Sequence, residues 1–63
     1  SEDARRHEEK YTFDLLVRPE LEKARNAFRN KSYSDVIRIM EPIEDHLGLA
    51  DKRKLAFARE AVR

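Results

Sequence analysis

Apolar and polar residues alternate with a helical period through most of the chain, most clearly over residues 21–47. Residues 21–29 read LEKARNAFR, the segment Asn30–Ser32 is polar, and residues 33–47 read YSDVIRIMEPIEDHL. On both sides of the polar segment the apolar positions recur every three or four residues, which is typical of amphipathic helices. The pattern therefore predicts two helices joined by a short turn and packed along an apolar seam.

The stripe of the first helix continues upstream to Phe13 and crosses Pro19 without a change of register. Proline removes one helical hydrogen bond and clashes with the carbonyl four residues back. Either a helix begins at Pro19 or a longer helix is kinked there, and the unbroken stripe favours the near-continuous path. Alternation over residues 11–17 also allows a strand, although the chain offers no second strand to pair with it. The stripe consists of Phe13, Leu16, Val17, Leu21, Ala24, Ala27 and Phe28.

The second helix has the broader apolar face, covering an arc of about 160° on a helical wheel. A face this wide can contact two neighbours, so this helix is predicted to be the central one. Pro42 lies inside the stripe and predicts a kink or local opening near the carbonyl of Arg38. The face consists of Tyr33, Val36, Ile37, Ile39, Met40, Ile43 and Leu47.

A third, alanine-rich helix is predicted from about Ala50 to the end of the chain. Residues 11–63 are thus expected to form a single all-α domain, an antiparallel helical hairpin with a third packing helix. Residues 1–10 are nearly all polar and predict a charged N-terminal arm or a helix extension. The expected core comprises Phe13, Val17, Leu21, Ala24, Phe28, Tyr33, Val36, Met40, Ile43, Leu55, Ala58 and Val62.

Composition narrows the class of protein without naming a function. The 63 residues are 43% charged and 40% hydrophobic, with a net charge of +1 and no cysteine. Such a chain is one small domain with neither disulfides nor cysteine-based zinc sites. No apolar run has transmembrane length and no signal-peptide pattern is present, so the default expectation is a cytoplasmic protein without membrane contact.

The sequence contains no pattern typical of catalysis, cofactor binding or metal binding. His7 and His46 are the only histidines, and the single glycine excludes a glycine-rich phosphate loop. Neighbouring carboxylates such as Glu44 and Asp45 fall on the predicted solvent face, where they act as solubilising charge. We therefore predict a non-enzymatic protein with no cofactor and no catalytic or metal-ligating residue.

More apolar residues are present than three helices are expected to bury. The excess predicts a contact patch for another protein or for a second copy of the chain, as in a helical docking or assembly module. A structural piece of a larger multi-domain protein is the remaining interpretation. The candidate patch is Tyr11, Leu15, Ile37, Ile39 and Phe57.

Nucleic-acid binding is the alternative hypothesis. Residues 43–62 weakly resemble a helix-turn-helix, with a turn at Leu47–Gly48–Leu49 followed by basic residues 52–54. Glu44 and Lys54, however, occupy positions where that motif needs a small and an apolar side chain. The candidate contacts in this alternative are Arg25, Arg29, Arg38, Lys52, Arg53 and Arg59.

Residues 24–37, ARNAFRNKSYSDVI, resemble the middle of a tetratricopeptide repeat. Small and aromatic residues on a first helix precede a short turn that ends in an aromatic, and a small apolar residue on the second helix packs back. Lys31 replaces the turn glycine of the family, and Val36 stands where alanine is usual. The resemblance implies tetratricopeptide-repeat-like pairing of helices and, by family habit, protein binding. The matching residues are Ala24, Ala27, Phe28, Tyr33 and Val36.

One prediction tests the core assignment directly. If Phe28 is fully buried, Phe28→Ala should lower the free energy of unfolding by about 3–5 kcal/mol, because it removes apolar contacts and leaves a cavity. Thermal denaturation monitored by circular dichroism measures the loss. An unchanged melting temperature would contradict the assignment of Phe28 to the core.

Overall fold

The computed structural model of the protein describes residues 9–63, and nearly all of them are helical. Three α-helices form the fold: α1 (Arg18–Arg29), α2 (Tyr33–Met40) and α3 (Leu49–Ala61). A π-helix, Phe13–Val17, precedes α1, and a 3₁₀ helix, Glu41–His46, follows α2. No strand occurs between residues 9 and 63. The prediction of an all-α, three-helix fold is confirmed, and the strand alternative for residues 11–17 is wrong. Most of the predicted arm of residues 1–10 lies outside the described residues.

A π-helical turn before Pro19 allows the first helix to continue past this proline. The backbone N–H of Arg18 donates to the carbonyl of Phe13, five residues back, and Pro19 follows within the first turn of α1. A proline is tolerated in a first helical turn, and the widened turn before it supplies the local adjustment that a long helix needs there. Residues 9–29 consequently follow one helical path, as the unbroken apolar stripe predicts.

Pro42 opens the second helix. The α-helical part ends at Met40, the chain tightens into the 3₁₀ helix, and Ile43 leaves helical geometry with φ −117° and ψ 22°. The missing proline donor and the ring of Pro42 account for this change, since neither is compatible with an uninterrupted α-helix. The predicted local opening is confirmed.

The turn between α1 and α2 is a Schellman motif. The N–H of Ser32 donates to the carbonyl of Ala27 at 2.8 Å, and the N–H of Lys31 donates to that of Phe28 at 3.1 Å. Lys31 adopts the left-handed conformation, with φ 61°. Asn30 tolerates that conformation by residue type, but its φ is −86°. Ser32 occupies the N-cap position of α2, although its side chain makes no capping hydrogen bond.

Helix α2 is central, as its broad apolar face predicts. It contacts both α1 and α3, and its residues Val36 and Met40 are completely buried. Side chains from both neighbouring helices and from the segment between α2 and α3 complete the core around them. The buried apolar residues are Val17, Leu21, Ala24, Val36, Met40, Leu47, Leu55 and Ala58.

The core differs from its prediction at the margins. Val62 is 49% exposed because α3 ends at Ala61, one residue before it. Phe28 is only half-buried against the core, so Phe28→Ala is now expected to cost about 2–3 kcal/mol rather than the full range for a buried phenylalanine. The other predicted core residues that remain half-buried are Phe13, Tyr33 and Ile43.

The left-handed residue of the turn makes a testable prediction. Lys31→Gly should raise the free energy of unfolding by about 0.5–1 kcal/mol, because glycine removes the strain of a Cβ at positive φ. Asn30→Gly is the matched control. Its backbone is not left-handed, so the same change there should destabilise the fold by about 0.5–1 kcal/mol. Urea denaturation of both variants measures the pair, and a loss of stability in Lys31→Gly would contradict the role assigned to Lys31.

Candidate protein-interaction surfaces

The helical segment before α1 exposes three large apolar side chains. Tyr11, Leu15 and Leu16 each leave more than half of their surface in solvent, with Leu16 at 66%. Phe13 and Val17, on the opposite side of the same segment, pack into the core. We call Tyr11, Leu15 and Leu16 the N-terminal apolar face.

The apolar stripe of the sequence assigns Leu16 to the buried side of its helix, and this assignment is wrong. Leu16 lies at one edge of the stripe, within the π-helix. The π-helix makes few contacts with α2 or α3, so Val17 reaches the core while no neighbouring helix covers Leu16. Only the proline two residues after the π-helix signals the irregularity in the sequence.

A second site with an exposed apolar residue lies near the turn between α1 and α2. Phe28 and Tyr33 pack edge-on with ring centroids 5.8 Å apart, and Phe57 of α3 lies 5.7 Å from Phe28 and 5.5 Å from Tyr33. Edge-to-face aromatic packing of this kind contributes about 0.5–1.5 kcal/mol beyond burial alone. Phe57 nevertheless remains 55% exposed. The aromatic cluster of Phe28, Tyr33 and Phe57 thus stabilises the fold on one side and faces solvent on the other.

The five residues of the predicted contact patch do not occupy one surface. Tyr11 and Leu15 belong to the N-terminal apolar face, whereas Phe57 lies at the other end of α1, beside Phe28. Ile37 and Ile39 are half-buried on α2 and pack against the core. Because the helical path from Tyr11 to Phe28 is roughly 25 Å long, two distinct surfaces result.

A bidentate ion pair links α1 to α3. The guanidinium of Arg25 donates from Nε to Oδ1 of Asp51 at 3.1 Å and from Nη2 to Oδ2 at 2.9 Å. The side chain of Asp51 is 7% exposed and that of Arg25 is 38% exposed. The hydrogen bonds from Arg25 lower the pKa of Asp51 against the opposing effect of burial, and they raise the pKa of Arg25. The sequence indicates only the position of Asp51 in a first helical turn and gives no sign of this partner.

Three of the six candidate nucleic-acid contacts are paired with carboxylates. Besides Arg25, Arg38 contacts Asp35 at 3.4 Å, and Arg59 donates to Glu41 at 2.9 Å and to Glu44 at 2.7 Å. Arg29, Lys52 and Arg53 have no salt bridge within residues 9–63. The helix-turn-helix alternative also lacks a regular first helix, since the segment before Leu47 is the 3₁₀ helix.

A shallow cleft lies between the 3₁₀ helix and α3, lined by Glu44, Asp45, Lys52, Leu55 and Arg59. Its charges are mixed, and Arg59 bridges Glu44 across it at 2.7 Å. Among the described residues, no three acidic, histidine or cysteine side chains come together as a metal site. No helix in that part of the chain is long and apolar enough to cross a membrane. His46 is exposed, and His7 lies outside the described residues.

No family model, curated protein or solved structure matches this chain. The resemblance to a tetratricopeptide repeat therefore stays a prediction that depends on residues 24–37.

The ion pair between α1 and α3 predicts a pH-dependent contribution to stability. Asp51→Asn should lower the free energy of unfolding by about 1–2 kcal/mol at neutral pH, because it removes a charge-assisted pair that is partly exposed on the arginine side. Since the pKa of Asp51 is lower in the folded state, the contribution is complete above the ordinary aspartate value of about 3.9 and disappears as the pH falls through the folded value.

Urea denaturation of the wild type and Asp51→Asn at a series of pH values between neutral and strongly acidic measures this difference. Asp45→Asn is the control, because Asp45 is exposed and has no salt bridge within residues 9–63. A stability gap for Asp51→Asn that stays constant down to the lowest pH would contradict the assigned role of the ion pair.

Proposed function

We propose that this chain is a helical protein–protein interaction module without enzymatic activity. The N-terminal apolar face carries the proposal. Tyr11, Leu15 and Leu16 are large, adjacent and more than half exposed on a helix whose other side is already packed. Concentrated apolar surface of this kind is typical of sites that another chain covers.

Burial of this face by a partner would contribute considerable binding free energy for so small a domain. Full burial of a leucine or an aromatic side chain contributes about 1.5–3 kcal/mol relative to exposure, and three such side chains lie together here. Three residues supply less than the roughly 800 Å² per partner of a standard interface, so the polar residues around them must belong to the contact as well. The partner in this proposal is another protein or a second copy, in a cytoplasmic setting that suits a chain without cysteine.

Salt bridges weigh against nucleic acid as the partner. Arg25, Arg38 and Arg59 are bonded to carboxylates of the same chain, and these would have to be displaced before the arginines could contact phosphate. Phosphate binding draws on counterion release by uncompensated cations, so paired arginines contribute little to it. A gel-shift experiment at low salt tests this competing hypothesis, and retarded DNA or RNA that is released by added salt would support it.

Charge placed on the N-terminal apolar face should abolish the interaction. Leu16→Glu puts a carboxylate on the most exposed residue of the expected contact, where burial without a partner charge is strongly unfavourable. Leu49→Glu is the matched control, since Leu49 is also 66% exposed but lies at the start of α3. The measurements are sedimentation velocity from micromolar to near-millimolar protein and photo-crosslinking in cells through benzoylphenylalanine at position 11.

The expected result is a concentration-dependent oligomer, or a discrete crosslinked protein, that Leu16→Glu removes and Leu49→Glu retains. A strict monomer that also yields no crosslinked protein would overturn the proposed function. Equal loss in both variants, with folding intact by circular dichroism, would show that the contact does not use this face.

A further inference from the structure

Positive charges without a partner are concentrated in one part of the described structure. Salt bridges within residues 9–63 engage Arg18, Lys23, Arg25, Arg38, Arg59 and Arg63. The cations that make none there are Lys10, Arg29, Lys31, Lys52, Arg53 and Lys54. By contrast, Glu9 and Asp45 are the only carboxylates of this range that lack a salt bridge. The unpaired charge is therefore predominantly positive, and most of it lies at the end of α1 and in the first half of α3.

Three of these cations are near neighbours in the chain of Phe57 or of the two rings that contact it. Arg53 precedes Phe57 by one helical turn on α3, which makes the two side chains neighbours on the helix surface. Arg29 follows Phe28, whose ring lies 5.7 Å from that of Phe57, and it hydrogen-bonds only the neutral side chain of Asn26. Lys31 stands in the turn between Phe28 and Tyr33, both of which contact Phe57. We call Arg29, Lys31, Arg53 and Phe57 the basic aromatic surface.

We propose that the basic aromatic surface docks an acidic segment of a partner protein, with a large apolar side chain against Phe57 and carboxylates paired to Arg29, Lys31 and Arg53. This inference rests on the proposed function, a protein-interaction module, and adds to it a second surface with a partner of stated chemistry. An apolar centre within a charged rim is the usual anatomy of a protein interface. Long-range attraction between the unpaired cations and the carboxylates would accelerate their encounter.

The charge balance distinguishes this partner from a second copy of the chain. Eight carboxylates of residues 9–63 are already in salt bridges, so these residues of a second copy have little free negative charge to offer.

Nucleic acid fits the basic aromatic surface less well than an acidic peptide does. Phosphates favour a continuous track of cations, whereas these cations lie around one aromatic side chain that already packs edge-on with Phe28.

Selection from a display library of random peptides on the full chain tests the proposal. Enriched peptides should contain at least two acidic residues flanking a large apolar one, and their affinity should weaken as salt rises. Arg53→Glu should reduce the affinity by about tenfold or more, since it replaces attraction by repulsion at the rim. Lys52→Glu carries the same change of charge at a position about 140° around α3 from Phe57, and it should reduce the affinity by less than about twofold.

Three results would overturn the inference. These are the absence of any enriched peptide, enrichment of peptides without carboxylates, and equal weakening by Arg53→Glu and Lys52→Glu. Single-stranded RNA that binds more tightly than the best peptide and loses affinity in Arg53→Glu would assign the surface to nucleic acid instead. Circular dichroism of both variants verifies folding.

The proposed function is tested separately through Leu16→Glu. The contact at the N-terminal apolar face can therefore be present even if the basic aromatic surface selects no acidic peptide.

Discussion

The fold depends on the packing of α2 on two sides. A domain of 63 residues buries only about 60% of the surface that its unfolded chain exposes, less than a larger domain does, and has little stability in reserve. Val36 and Met40 are therefore important for stability. Both are fully buried between α1 and α3, and they join both neighbouring helices in one core. Truncating either would loosen the hairpin and the third helix together.

The ion pair between Arg25 and Asp51 adds orientation to this apolar packing. Apolar contacts allow some sliding of one helix along another, whereas a bidentate pair with distances of 3.1 and 2.9 Å requires one alignment of α1 with α3. In that alignment Phe57 lies against Phe28 and Tyr33 with half of its surface exposed. The proposed docking surface is thus a consequence of how α3 is positioned.

Prediction from the sequence succeeds where a feature is local and periodic. The hairpin, the central position of the broad-faced helix and the opening at Pro42 all follow from residue spacing and proline chemistry, and the structure confirms them. The errors occur at interruptions of the regular helix. Leu16 lies in the π-helix and is exposed, and Val62 lies beyond the end of α3.

The sequence by itself determines an all-α chain with one central helix and more apolar surface than it can bury, because helical periodicity is a property of neighbouring residues. Tertiary structure alone decides which of those residues remain exposed together. It divides the five predicted patch residues between two surfaces and the core, and it adds Leu16 to the first surface. It also decides which charges are neutralised, since pairs such as Arg25 with Asp51 join residues far apart in the chain. The spacing of residues in the sequence cannot reveal such partners. The cations that remain without a salt bridge define the basic aromatic surface.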